Sequence, residues 1–187
     1  MKGTVIMDKR SVKTQTKTEK ALFELMQHDN FSDISITNIA NQAGISRMAF
    51  YRNYSSKEDI LNKFIQKEYD QFISDISQHS LDKLEQLLEV YFGYFRDNPQ
   101  VLSAIVNAAI EGLALEKQSK YLNDFFRLKI RDEQPSQYEI AYYSGAIFSS
   151  LLYWRKTDYK RPAKKFADQL AKKIRKDLQE KNGETII

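Results

Sequence analysis

Cysteine is absent from the 187 residues, which excludes a disulfide framework, a thiolate zinc site and a cysteine nucleophile. Histidine occurs only at His28 and His79, without His-x-x-x-His spacing, so neither a metal centre nor a cofactor is expected. Glycine (6) and proline (3) are scarce, and because both punctuate helices and turns, long elements are expected. No apolar run reaches the roughly 18 residues a membrane span needs. The opening Met1–Arg10 holds too short an apolar stretch for a signal peptide. A cytoplasmic protein without a membrane partner is expected. No nucleophile–base set or glycine-rich phosphate loop is visible, so an enzyme is not expected.

What remains is 42% apolar and 29% charged, ordinary for a globular protein. Leu, Lys, Glu, Gln, Ala and Ile recur at helical spacing, which predicts an all-α fold. Charge is uneven. Residues 1–56 carry 8 basic and 5 acidic side chains, residues 57–154 carry 10 and 15, and residues 155–181 carry 11 and 4. A basic first piece on an acidic middle suggests a polyanion partner for the first piece.

Residues 1–13 lack periodicity and read as a basic arm with Lys2, Lys9, Arg10 and Lys13. Helices are predicted at about 14–29, 36–43, 47–54, 57–78, 82–96, 99–110, 114–130, 137–155 and 162–180. Asn30 is expected to end the first helix in the left-handed conformation. Ser35, Ser46 and Ser56 are expected N-caps. The domains follow as an arm (1–13), a three-helix head (14–56) and a longer helical part (57–187).

The segment from Ser35 to Tyr54 has the pattern of a helix-turn-helix. Two short helices must cross steeply, so the turn needs a glycine and an apolar plug, supplied by Gly44 and Ile45. Ala40 is small enough for close approach. Ser35 and Ser46 open the two helices, and Phe50 and Tyr54 give the second an apolar side. Its other side carries Arg47, Met48, Tyr51, Arg52 and Asn53, which can meet phosphates, base edges or a thymine methyl. Thr37 and Lys57 sit at helix N-termini, where phosphate is favoured. No acidic residue occurs from Ile34 through Lys57.

Over about residues 16–62 the chain resembles the TetR family of bacterial transcriptional regulators. The likeness rests on Thr37-Asn38-Ile39-Ala40, Ala43-Gly44-Ile45-Ser46-Arg47, Phe50-Tyr51-Arg52-Asn53-Tyr54 and Lys57-Glu58-Asp59-Ile60-Leu61. It implies that Thr37, Arg47, Tyr51 and Lys57 contact DNA and that Phe50 and Tyr54 belong to the core. Met48 departs from the small residue frequent there. The resemblance also implies a C-terminal helical domain for ligand binding and dimerisation. Tyr143-Ser144-Gly145-Ala146 through Trp154 is similar to a subgroup that includes regulators of small-metabolite kinase operons.

The residues agree on dimerisation. The 137–155 helix is apolar nearly all round and needs cover on two sides. Ile147, Phe148, Leu151 and Trp154, with Phe166, Leu170 and Ile174 of the last helix, are expected at an isologous homodimer interface. Tyr91, Phe95, Glu111, Phe125 and Tyr142 are the candidate pocket for an unknown small-molecule effector. The expected function is a regulator that binds a near-palindromic double-stranded DNA operator, a repressor released by its effector. The alternative is a co-activator or architectural factor acting mainly through protein contacts.

Overall fold

The computed structural model describes residues 9–78, 81–130 and 134–184. Among them the chain forms nine α-helices and no strand. They are α1 (Lys9–Leu25), α2 (Ile36–Ala43), α3 (Arg47–Tyr51), α4 (Lys57–Gln78), α5 (Leu84–Asp97), α6 (Pro99–Asn107), α7 (Glu111–Lys129), α8 (Gln137–Lys156) and α9 (Ala163–Glu184), with a 3-10 turn at Phe31–Asp33. The fold is all-α, a helix-turn-helix at the N-terminal end and a helical domain after it. None of these helices is long and apolar enough to cross a membrane.

Contacts divide the chain into two units. The first runs through Glu68 and adds Ser103–Ile110; the second holds Tyr69–Leu102 and the chain from Glu111. The border therefore lies inside α4, beyond residue 57 where the sequence suggested it. The physical reason is that Ile60 and Leu61 of α4 are buried in the first core, beside Leu22, Ile39, Phe50 and Tyr54.

Two expectations about α1 change. The helix begins at Lys9, so residues 9–13 of the expected arm are helical, while residues 1–8 lie outside the described residues. The early start has anchors: the Ser11 hydroxyl donates to Asn53 Oδ1 (2.6 Å), and Thr14 back-bonds to the Arg10 carbonyl (2.9 Å). Asn30 is extended (φ −70, ψ 141) and leads into the 3-10 turn, not left-handed. Here the chain must keep going towards α2, and a left-handed residue would turn it back.

The helix-turn-helix closes locally. Ser35 and Asn38 form a capping box at the start of α2, with the Asn38 amide on Ser35 Oγ (3.1 Å) and the Ser35 amide on Asn38 Oδ1 (2.9 Å). Gly44 is left-handed (φ 62), and the Ile45 amide reaches back to the Ala40 carbonyl (3.0 Å). That is a Schellman closure, which wants glycine because a Cβ is strained at this φ. No other atom lies within 4 Å of where a Gly44 Cβ would stand. Gly44→Ala is therefore expected to destabilise through backbone strain alone, by about 1–2 kcal/mol. Urea unfolding measures it; an unchanged midpoint would mean the turn does not require the left-handed residue. Ser46 caps α3 by accepting from the Ala49 amide (3.1 Å).

The second unit packs around Trp154, the single tryptophan. Its ring stacks on Phe166 (5.6 Å) and meets the edges of Phe92 and Tyr159. Its Nε1 donates to the Arg161 carbonyl (2.8 Å), which fixes the α8–α9 loop. Ile147, Phe148, Leu151, Trp154 and Ile174, expected at a subunit interface, are all buried within the chain itself, and Phe166 and Leu170 are half-buried. The reason is that α8 turns this apolar face to its own subunit.

Candidate nucleic-acid interface

Most of the residues expected to read DNA are exposed. Thr37 of α2 and Arg47, Met48, Tyr51 and Arg52 at α3 all face outward. Met48 is 77% exposed and Tyr51 is 50% exposed, while Phe50 between them is fully buried. The helical period explains this. Arg47 and Tyr51 are one turn apart on one side, and Phe50 and Tyr54 are four apart on the other. Tyr51 makes a T-shaped contact with Phe50 (5.4 Å), so the side chain is supported from behind.

The remaining structural residues behave as the pattern requires. Ala40 and Tyr54 are buried, Ile45 is half-buried against the core, and Ser35, Gly44 and Ser46 make the caps and the turn. Burial, then the nearby Glu19 carboxylate, pushes the Tyr54 phenol well above its usual range. The phenol therefore stays protonated and donates to Glu19 Oε1 (3.3 Å).

Two expected DNA contacts are engaged elsewhere. Asn53 is half-buried; its Oδ1 accepts from Ser11 and its Nδ2 donates to the Ala49 carbonyl (2.8 Å). It ties the end of α3 to the start of α1. Lys57 is also half-buried, and its ammonium donates to the carbonyls of Phe31 (2.7 Å), Ser32 (2.9 Å) and Ile34 (2.8 Å).

Sequence reasoning did not find Asn107. Its Oδ1 accepts from the Phe31 amide (3.1 Å), and its Nδ2 donates to the carbonyls of Met26 (2.7 Å) and Asp29 (3.3 Å). Nothing local marks it, because its partners lie 76 or more positions away.

In the second unit, the Tyr91 and Phe95 rings meet at 5.0 Å, but the five expected pocket residues do not line one cavity. Tyr91 lines a small cavity of about 20 Å³ with Leu87, Leu88, Gln118, Tyr121, Leu122 and Ile147. Phe95 and Phe125 are buried but line no part of it, Glu111 is half-buried at the start of α7, and Tyr142 is 57% exposed. The residue missed is Gln118. Its Oε1 accepts from the Tyr91 hydroxyl (2.7 Å) and its Nε2 donates to the Ser144 carbonyl (2.8 Å). The signal was available: Gln118 interrupts the apolar positions Ala114, Leu122 and Phe125 of one helical face.

Residues 20–64 match the model for bacterial regulatory proteins of the tetR family. The uncharacterised HTH-type transcriptional regulator YxbF of Bacillus subtilis is 23% identical over 156 residues, 80% of this chain and 41% of that protein. The dhaKLM operon transcriptional activator DhaS of Lactococcus lactis is 31% identical over 71 residues, 38% of each chain. This chain thus spans about two fifths of the length of both relatives. Among solved structures, Lin0861 from Listeria innocua superposes with a TM-score of 0.73 over 95% of each chain at 21% identity, a likeness of fold. Over residues 20–64, the helix-turn-helix and the start of α4, this chain is similar to the bacterial regulatory proteins of the tetR family.

Proposed function

We propose that this protein is a homodimeric transcriptional regulator whose first unit binds DNA and whose second unit dimerises and senses a small molecule. The observation that carries it is the outward set Thr37, Arg47, Met48, Tyr51 and Arg52, supported by a capped helix-turn-helix with a buried reverse side. Two such heads, related by a two-fold axis, would enter successive major grooves of a near-palindrome about one turn apart. A repressor released by its effector is the preferred mode; DhaS, by its name an activator, favours activation as the second reading. Footprinting on the DNA upstream of its own gene tests the proposal. Two protected half-sites on one face of the duplex are expected, and binding that ignores sequence would overturn it. Transcription from that promoter with and without the protein decides the sign.

The partner-facing surface is reassigned. On α8, Tyr138, Tyr142 and Tyr153 are 78%, 57% and 63% exposed, and Ser149 lies exposed between them. These positions follow a helical stripe opposite the buried Ile147, Leu151 and Trp154. Large exposed aromatic side chains along one stripe favour a second copy as cover. Replacing Tyr142 and Tyr153 by glutamate is expected to convert the dimer to monomer in sedimentation at micromolar concentration. A dimer of unchanged stability would remove this face.

The effector site is assigned to the cavity beside Tyr91 and Gln118, where a buried, hydrogen-bonded glutamine sits in an otherwise apolar lining. Ser144, whose carbonyl accepts from Gln118, has a buried Oγ that finds no partner among the described residues. As it stands the cavity has room for about one water, so an effector would enter by moving side chains.

A further inference from the structure

We propose that Lys57 is a positioning residue for the DNA-reading surface, an ammonium staple that acts with Asn107, and that it makes no phosphate contact. The inference rests on the DNA-binding reading above and reverses the role first expected for this lysine.

An ammonium group has three N–H donors and no acceptor. At Lys57 three carbonyls meet them, Phe31 at 2.7 Å, Ser32 at 2.9 Å and Ile34 at 2.8 Å. The same charge sits 4.7 Å from the centre of the Phe31 ring, a cation–π distance. A phosphate would have to displace at least one of these carbonyls, and two of them, Phe31 and Ile34, are partly buried acceptors that need the donor. Arg47 and Arg52 are exposed and need no such exchange.

The carbonyls Lys57 holds belong to the connection from α1 to α2. A 3-10 turn makes few hydrogen bonds of its own, so its carbonyls need donors from elsewhere. Asn107 holds the same connection at other atoms, accepting from the Phe31 amide and donating to the Met26 and Asp29 carbonyls. Phe31 therefore has its N–H claimed by one remote side chain and its C=O by another. Ile34, the last carbonyl held, precedes Ser35, the N-cap of α2. Thr37 follows in the first turn, on the DNA-reading surface. Fixing Ile34 fixes where α2 begins, and through the Gly44 turn it fixes the direction of α3.

Operator binding by the full-length chain, followed by fluorescence anisotropy between 50 and 200 mM salt, separates the two roles. The probes are the footprinted duplex and a scrambled duplex. Loss of one phosphate contact per protomer would flatten the log–log salt slope of a dimer by about 1.8, at about 0.9 per contact. A staple predicts otherwise. Lys57→Met should lose about ten-fold in operator affinity, keep its slope and discriminate less well from the scrambled duplex. Lys57→Arg keeps the charge, but a planar guanidinium cannot aim three donors at one converging set of carbonyls. It should fail as Lys57→Met does, whereas a phosphate contact would survive the change. Asn107→Ala should repeat the phenotype. Amide exchange of residues 31–38 should accelerate in Lys57→Met and Asn107→Ala, with α5 and α7–α9 unchanged.

A slope flattened by about 1.8 in Lys57→Met, with binding retained in Lys57→Arg, would overturn the proposal. If Lys57→Met does not fold, the Lys57→Arg arm and the wild-type ammonium resonance decide. That resonance should be protected from solvent exchange in the free protein and unmoved by the operator; one that shifts when the operator is added overturns the staple. If the wild type binds no DNA, the functional reading fails, and the amide-exchange arm still decides whether Lys57 and Asn107 hold the turn.

Discussion

Replacing Arg47 and Tyr51 together by alanine is expected to weaken operator binding by more than about 100-fold while leaving the fold intact. Arg47 is the first residue of α3, directly after the Ser46 cap, and Tyr51 is one helical turn further on the same side. Both are exposed, and Tyr51 is braced by a T-shaped contact with Phe50. A good base or phosphate contact contributes about 1–3 kcal/mol, and a two-fold complex makes each contact twice. Four lost contacts therefore exceed the roughly 3 kcal/mol that corresponds to a hundred-fold change, even at the lower end. Exposed positions of this kind usually alter stability by less than about 0.5 kcal/mol, so circular dichroism and the unfolding midpoint should be unchanged. Anisotropy with the footprinted duplex measures the loss. Retained affinity in a folded double variant would remove this surface from the DNA interface. Met48, at 77% exposed, is predicted to act more locally, by contact with a thymine methyl.

The largest effect on stability is expected in the second unit. Trp154→Ala should cost about 3–5 kcal/mol, the range for emptying a buried aromatic site. The ring is 1% exposed and makes its contacts with Phe92, Tyr159 and Phe166. Removing it leaves a cavity and takes the donor from the Arg161 carbonyl that shapes the α8–α9 loop. Total stabilities are typically about 5–15 kcal/mol, so the loss can unfold the unit outright at moderate temperature. Trp154→Phe keeps much of the volume and should cost clearly less. Urea unfolding followed by circular dichroism compares the two, since the variants lack the only tryptophan. A loss below about 1 kcal/mol for alanine would mean that this core is organised around another residue.

The helix-turn-helix was legible because its determinants are local. Ser35, Gly44 and Ser46 act on backbone groups within five positions, and the spacing of Phe50 and Tyr54 sets which side of α3 turns inward. The bounds of α2 and α4 follow from the same signals. The start of α1 was less legible, because Ser11 is anchored by Asn53, 42 positions away. The carbonyls around Lys57 were not legible for a related reason. A lysine at a helix start favours neither a phosphate nor a set of carbonyls until the 31–34 turn is in place beside it.

Sequence by itself determined that the chain is helical, that residues 35–54 turn once at a glycine, and that the outer side of α3 is polar and free of acid. Periodicity and capping act within a few residues, so no distant partner is needed to read them. Only the tertiary structure decided which apolar side of α8 serves its own core, which polar side chains are already engaged, and that Gln118 meets Tyr91 in the second unit. Those outcomes depend on which surfaces meet after the helices pack, and hydrophobic burial has no direction until a partner supplies one.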